Sequence, residues 1–254
     1  MKTCNRFCRL LALLSLSLFT AAVQLPAYAG VFSVTPVRIY MAPKDRAVAI
    51  TITNEGDSEM VLQSDIFAWS QKPDGSDELV LTEDMILSPP ILKLPPKARQ
   101  VVRLALLIPR DASRQMTYRM VMREVPEALA ANKNVVEVPI ALALSMPVFL
   151  TPPLAKAEVT CEVSRPDLKA DVKTDAHTLL AFCSNSGTAY AQVREVVLKR
   201  DGQQLARFEG GGYILPGARK AITLKATQAV AAGAAEMLVT FDDNRQQAFT
   251  VSLP

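Results

Sequence analysis

Apolar and polar residues alternate with a period of two along most of this chain, which predicts strands rather than helices. In "VEVPIALALSMPVF" (136–149), Val136, Val138, Ile140, Leu142, Leu144 and Met146 occupy every second position, so a strand here carries one face of bulky hydrocarbon. The same alternation predicts strands over 31–41, 47–54, 59–70, 98–106 and 116–125, with a turn in "KPDGSDE" (72–78). Between them, "SPPILKLPP" (88–96) carries prolines that block regular ladders. "TPPL" (151–154) marks a boundary, because a Pro-Pro pair is stiff. Beyond it a second set of alternating segments (156–164, 178–187, 190–208, 219–227, 235–243 and 245–253) gives about seven short strands once the Asp-Gly turn in "KRDGQQ" (199–204) splits the longest. "EGGGYILPGAR" (209–219) predicts a glycine-rich corner, and the alanine-rich 226–236 a single helical turn at most. The reading is all-β: one sandwich over 30–150 and, over 151–254, a second with the strand count of an immunoglobulin-like sandwich.

The strand at 136–149 is unusual in its prolines. Pro139 and Pro147 share parity, so one side of the strand lacks N–H donors at two places, which suits an open sheet edge. Native edges are normally short or charged, yet the eleven residues 136–146 carry only Glu137. Such an edge either aggregates or pairs with a partner strand, and burying six large side chains at ~1.5–3 kcal/mol each supplies on the order of 10 kcal/mol before ordering costs.

The amino terminus changes the compartment. Lys2, Arg6 and Arg9 precede an apolar run from Leu10 to Phe19, and Ala27-Tyr28-Ala29 has the small-x-small form of a signal-peptidase site, so 1–29 reads as a cleaved export signal. The run is shorter than the roughly 20 residues of a membrane span, and no later segment is long enough for stable membrane insertion. Cleavage removes three basic and no acidic residues, taking the formal charge from +3 to zero, which gives nucleic acid no support as a partner. Only Cys161 and Cys183 then remain, and in an oxidising compartment they are expected to pair.

Residues for catalysis are missing from the pattern. His177 lies beside Asp175 in a polar turn with no serine motif, and Asp242-Asp243, Asp74, Asp77 and Glu78 read as solvated turns without calcium-loop spacing. No catalytic set, metal site or cofactor is expected, and the chemistry is binding.

The segments "SVTPVRIYM" (33–41), "TITNEGDSEMVLQSDIFAW" (51–69), "ILSPPILKLPPKARQVVRL" (86–104), "TYRMVMREVP" (117–126), "PVFLTPP" (147–153) and "GYILPGAR" (212–219), in this order, resemble the periplasmic pilus-assembly chaperones of the chaperone–usher pathway, more its archaic or alternative branch than the P-pilus type. The resemblance implies two immunoglobulin-like domains in an L and a periplasmic protein whose partners are pilin-like fibre subunits and an outer-membrane usher. It also implies that Val136, Val138, Ile140, Leu142, Leu144 and Met146 are lent to a subunit lacking its last strand. In the family two basic residues hold the subunit's terminal carboxylate. Arg38 matches the first, while the second position falls on Pro147, so Arg119 or Arg123 on the neighbouring strand is expected to serve, Arg119 above all. The arginine that in the family joins an interdomain ion network falls on Thr151. A structural subunit or adhesin of a surface fibre is the alternative, with "GVFSVTPVRIY" (30–40) as its donor extension.

Overall fold

The computed structural model describes residues 32–125, 141–164 and 177–253, and they are all strand, turn and coil. Two sheets form the first sandwich. A four-stranded sheet has the order β1 (Phe32–Thr35), β3 (Ala47–Asn54), β8 (Arg99–Leu106) and β6 (Met85–Ser88). The other runs β2 (Ile39–Met41), β10 (Ala143–Leu150), β9 (Met116–Val125), β4 (Met60–Gln71) and β5 (Asp77–Leu81), and β7 (Ile91–Leu94) also pairs with β4. The inward faces are the apolar sets that alternation selects: Ile50, Ile52, Val102 and Leu104 from one sheet meet Leu62, Met120, Met122 and Val148 from the other, all fully buried.

Three expectations are corrected here. The stretch 31–41 is two strands: β1 pairs with β3 and β2 with β10, so the chain changes sheets between Thr35 and Ile39, where Pro36 and Val37 interrupt the ladder. The proline-rich 88–96 divides likewise, β6 joining β8 and β7 joining β4. Residues 209–214 are not a corner, because they belong to β14 (Gln203–Ile214), whose bulges against β13 absorb the glycines.

The second sandwich is one hydrogen-bonded path of seven strands, β11 (Val159–Ser164), β12 (Thr178–Asn185), β15 (Arg219–Ala226), β14, β13 (Ala191–Arg200), β16 (Gly233–Phe241) and β17 (Gln246–Leu253). It curls until its ends meet, where Gln247 Nε2 donates to the Val159 carbonyl at 3.2 Å. Cys161 and Cys183 face each other across β11 and β12 and are joined by a disulfide. Between Ala226 and Gly233 the chain bends without a helical turn.

Each sandwich is pinned by one buried asparagine at a strand end. Asn54 Nδ2 donates to the carbonyls of Ser58, Leu94 and Pro95 while its Oδ1 accepts from Gly56 N. Asn185 repeats the device, donating to Ala189 and Ile214 and accepting from Glu158 N and Gly187 N. The two lie in "TNEG" (53–56) and "SNSG" (184–187), both at the end of an antiparallel strand. Apolar replacement would strand several buried backbone groups, each costing about 1–3 kcal/mol. Asn54→Leu and Asn185→Leu are therefore expected to lower unfolding free energy by about 3 kcal/mol or more in urea titrations, whereas Gln204→Leu at an exposed strand position changes it little.

Candidate functional site

Alternation in the six-stranded sheet gives each strand a second face, turned away from the core. On it stand Phe67, Trp69, Thr117, Arg119, Val121, Arg123, Pro147 and Phe149, placed together by the register Phe67↔Arg119 and Pro147↔Arg119. Toward the end of β10 this face meets the second sandwich. Phe149 is wholly buried there, its ring stacked on Tyr190 with centroids 4.1 Å apart and set 5.8 Å from Tyr213 and 6.1 Å from Trp69. Leu215 completes this small cluster between the domains.

Polar side chains lock the same junction. Gln71 Nε2 donates to the Tyr213 carbonyl at 2.9 Å and its Oε1 accepts from Leu215 N at 3.0 Å. Gln115, almost fully buried, accepts from Tyr190 N at 2.8 Å and donates to Thr151 Oγ1 at 2.6 Å. Thr151 thus receives a neutral hydrogen bond at the position where the resemblance led to an arginine.

The three expected anchor residues separate. Arg38, just before β2, reaches into the second sandwich: Nη1 donates to Asp242 Oδ2 at 2.7 Å and Nη2 to Gln192 Oε1 at 2.6 Å. Tyr190 also donates to Asp242 Oδ2 at 3.3 Å and shares a 2.7 Å hydroxyl contact with Tyr40. Asp242, expected as a solvated turn residue, is instead the counter-ion of Arg38. Its neighbour Asp243 is exposed. Sequence gave no signal for this pairing, because 204 residues separate the partners.

Arg119 lies over Trp69, its guanidinium carbon 3.8 Å from the ring centroid, and it is 5.6 Å from the ring of Tyr213. Arg38 is 5.7 Å from the same Tyr213 ring, so the two cations flank one aromatic side chain. The nearest carboxylate to Arg119, Asp77 Oδ2, stands 3.7 Å away, too far for a hydrogen bond. Burial pulls the Arg119 guanidinium below the usual arginine range and Asp77 works against that, leaving a charged group with donors to spare. Arg123 stands further along the same face, where it pairs with Asp65 and lies 5.8 Å from the ring of Phe67.

β10 has one paired and one open side. It pairs with β9 along its whole length, but β2 lies alongside only from Val148 to Leu150. Glu124 N donates to the Leu142 carbonyl, so the even residues turn their backbone groups to β9 and the odd ones away from it, where Ala143 and Ser145 face no strand and Pro147, without an N–H, adjoins the start of β2. Of the bulky face, Leu142 is exposed and Leu144 only partly buried, whereas Met146 is 1 % exposed. Met146 packs in the core of its own sandwich, where the opposing sheet covers it. Val136, Val138 and Ile140 lie outside the described residues.

The junction makes an alkaline prediction. Burial first, then the contact with Tyr40 and the nearby Asp242 carboxylate, raise the Tyr190 hydroxyl above the usual tyrosine value of 10.0, and burial likewise raises Tyr213. The folded state holds these protons more tightly, so the stability they contribute is present below pH ~10 and is lost as the pH rises beyond it. Unfolding free energy is expected to fall steeply across pH 10–11, with a shallower slope in Tyr190→Phe. An equal slope in that variant would remove Tyr190 from the account.

The model of the family of pili and flagellar-assembly chaperones, PapD N-terminal domain, matches residues 31–156. No curated protein matches the chain. Similar solved structures include a chain of the CsuC–CsuE chaperone–tip adhesion subunit pre-assembly complex from the archaic chaperone–usher Csu pili of Acinetobacter baumannii, at 16% identity over 89% of this chain and 100% of that one, with a TM-score of 0.63. The YadV chaperone matches at 14% identity over 88% and 100%, with a TM-score of 0.59. The Pseudomonas aeruginosa CupB2 chaperone matches at 16% identity over 87% and 100%, with a TM-score of 0.52. These identities speak for the fold, two immunoglobulin-like sandwiches, and residues 31–156, the first sandwich and the start of the next segment, belong to the family of pili and flagellar-assembly chaperones, PapD N-terminal domain.

Proposed function

We propose that this chaperone works in the periplasm, binds pilin-like fibre subunits by adding the open side of β10 to a sheet of the subunit, and delivers them to an outer-membrane usher. The observation that carries the reading is the unpaired side of Ala143 and Ser145, continuous with an exposed Leu142 and a half-covered Leu144. The strand divides its labour along its length. From Met146 onward its bulky face fills the chaperone's own core, and before that point the same face is free to enter a partner's groove, which Val136, Val138 and Ile140 would extend.

Arg119 is the better carboxylate anchor of the two cations at the junction. It sits opposite Pro147, the position that carries the family's lysine, and its donors are not taken up by Asp77. Arg38 is held by Asp242 and Gln192 and acts first as a tie between the domains. Arg123 is bound to Asp65 and plays no part in the anchor. A fibre subunit would need a groove of its own, and β10 supplies the strand that closes this sandwich, which disfavours the alternative.

A carboxy-terminally tagged form isolated from the periplasm of its own host is expected to carry a small pilin-like protein. Leu142→Arg should lose it, because a charge would enter an apolar groove. Arg119→Ala should weaken retention about tenfold or more, whereas Arg123→Ala should leave it unchanged. Equal recovery of the partner with Leu142→Arg would sink strand donation, and equal recovery with Arg119→Ala would sink the anchor alone.

A further inference from the structure

The six-stranded sheet has a second open edge, remote from β10. β5 pairs only with β4, and all five of its residues, Asp77 to Leu81, are exposed. Thr82 N donates to the Ile66 carbonyl and Ser76 O accepts from Lys72 N, so the even residues bond inward to β4. The N–H and C=O groups of Asp77, Leu79 and Leu81 therefore point outward in a row. Leu79, Val80 and Leu81 are 43%, 59% and 66% exposed. Native edges are commonly guarded by lysine or proline, and residues 77–84 contain neither.

Charge selects the partner. Asp77 and Glu78 precede the three apolar residues, and Glu83 and Asp84 follow Thr82. A second copy of this strand laid antiparallel would bring each acidic end against the acidic end of its mate, which disfavours self-pairing. An extended segment with apolar residues at alternate positions and lysine or arginine at both ends would satisfy backbone, side chains and charge together. We infer that β5 is a docking edge for an extended protein segment with basic flanks, separate from the strand-lending edge at β10. The backbone supplies adhesion, and the acidic flanks supply selection and salt dependence.

The test uses the full mature chain and a labelled nine-residue peptide of alternating valine and threonine with two lysines at each end, beside a twin with glutamates at those ends. The lysine peptide is expected to bind, more weakly as salt is raised, and the glutamate twin at least about tenfold more weakly. Leu79→Pro removes an outward donor without touching the bonds to β4, so it should abolish binding while the thermal melt stays in place. Ser145→Pro, which blocks the open side of β10 in the same manner, should leave binding intact. The inference is overturned if neither peptide binds, if both bind alike, if Leu79→Pro binds normally, or if Ser145→Pro is the variant that fails. The last outcome would assign the peptide to β10 and leave the strand-donation reading standing, so the two ideas fail separately. A Leu79→Pro chain that melts early is replaced by Leu79→Lys with Leu81→Lys, expected to lose the lysine peptide by charge repulsion.

Discussion

Phe149 is fully buried although it belongs to neither sandwich's main core, and the architecture turns on that placement. Its neighbours in sequence, Val148 and Leu150, point into the first core, so alternation forces the phenylalanine out through the opposite face of the sheet. There it meets Tyr190 and Tyr213 from the second sandwich and Trp69 from the first. Removing such a ring from a wholly buried site costs about 3–5 kcal/mol, comparable with the stability of a small domain. One strand thereby fixes three things at once: the closing of its own sandwich, the junction between sandwiches, and the direction in which its open side faces.

The electrostatics of the junction follow from this packing. Once the aromatic cluster brings the sandwiches together, Arg38 lies beside Asp242 and Gln192, and Arg119 lies over Trp69 with no carboxylate in hydrogen-bond range. Two cations around one tyrosine therefore have different fates. One is bound across the domain junction by Asp242 and Gln192, and the other has no carboxylate within hydrogen-bond distance. The hydrogen bonds of Gln71 and Gln115 add a neutral, direction-dependent lock around the same cluster. Neutral locks of this kind are insensitive to salt, unlike the Arg38–Asp242 pair beside them.

The open edges at β10 and β5 differ in how they are protected. At β10 the unpaired side carries Pro147 and small residues, so recognition falls to the bulky face and to the free carbonyls of Ala143 and Ser145. At β5 the last three side chains, Leu79, Val80 and Leu81, are apolar on both faces, and the guards are Asp77 and Glu78 at the strand's start and Glu83 and Asp84 just past its end. Covering one edge leaves the other free, because β9 and β4 stand between them.

Much of the fold was legible in the sequence. Alternation alone determined the strands and their inward residues, because burial of every second side chain is a local consequence of strand geometry. It failed at 31–41, at 88–96 and at 209–214, where prolines or bulges make one apparent segment serve two sheets, or one strand out of an apparent corner. Met146 shows the limit for the site. Its parity with Leu142 and Leu144 is a property of the sequence, but whether that face meets solvent or core depends on where the opposing sheet ends. The type of Arg38, Arg119 and Arg123 was equally visible, and their roles were not: Asp242, Trp69 and Asp65 come to them from distant segments, and only the packed tertiary structure decides which cation is neutralised and which remains available.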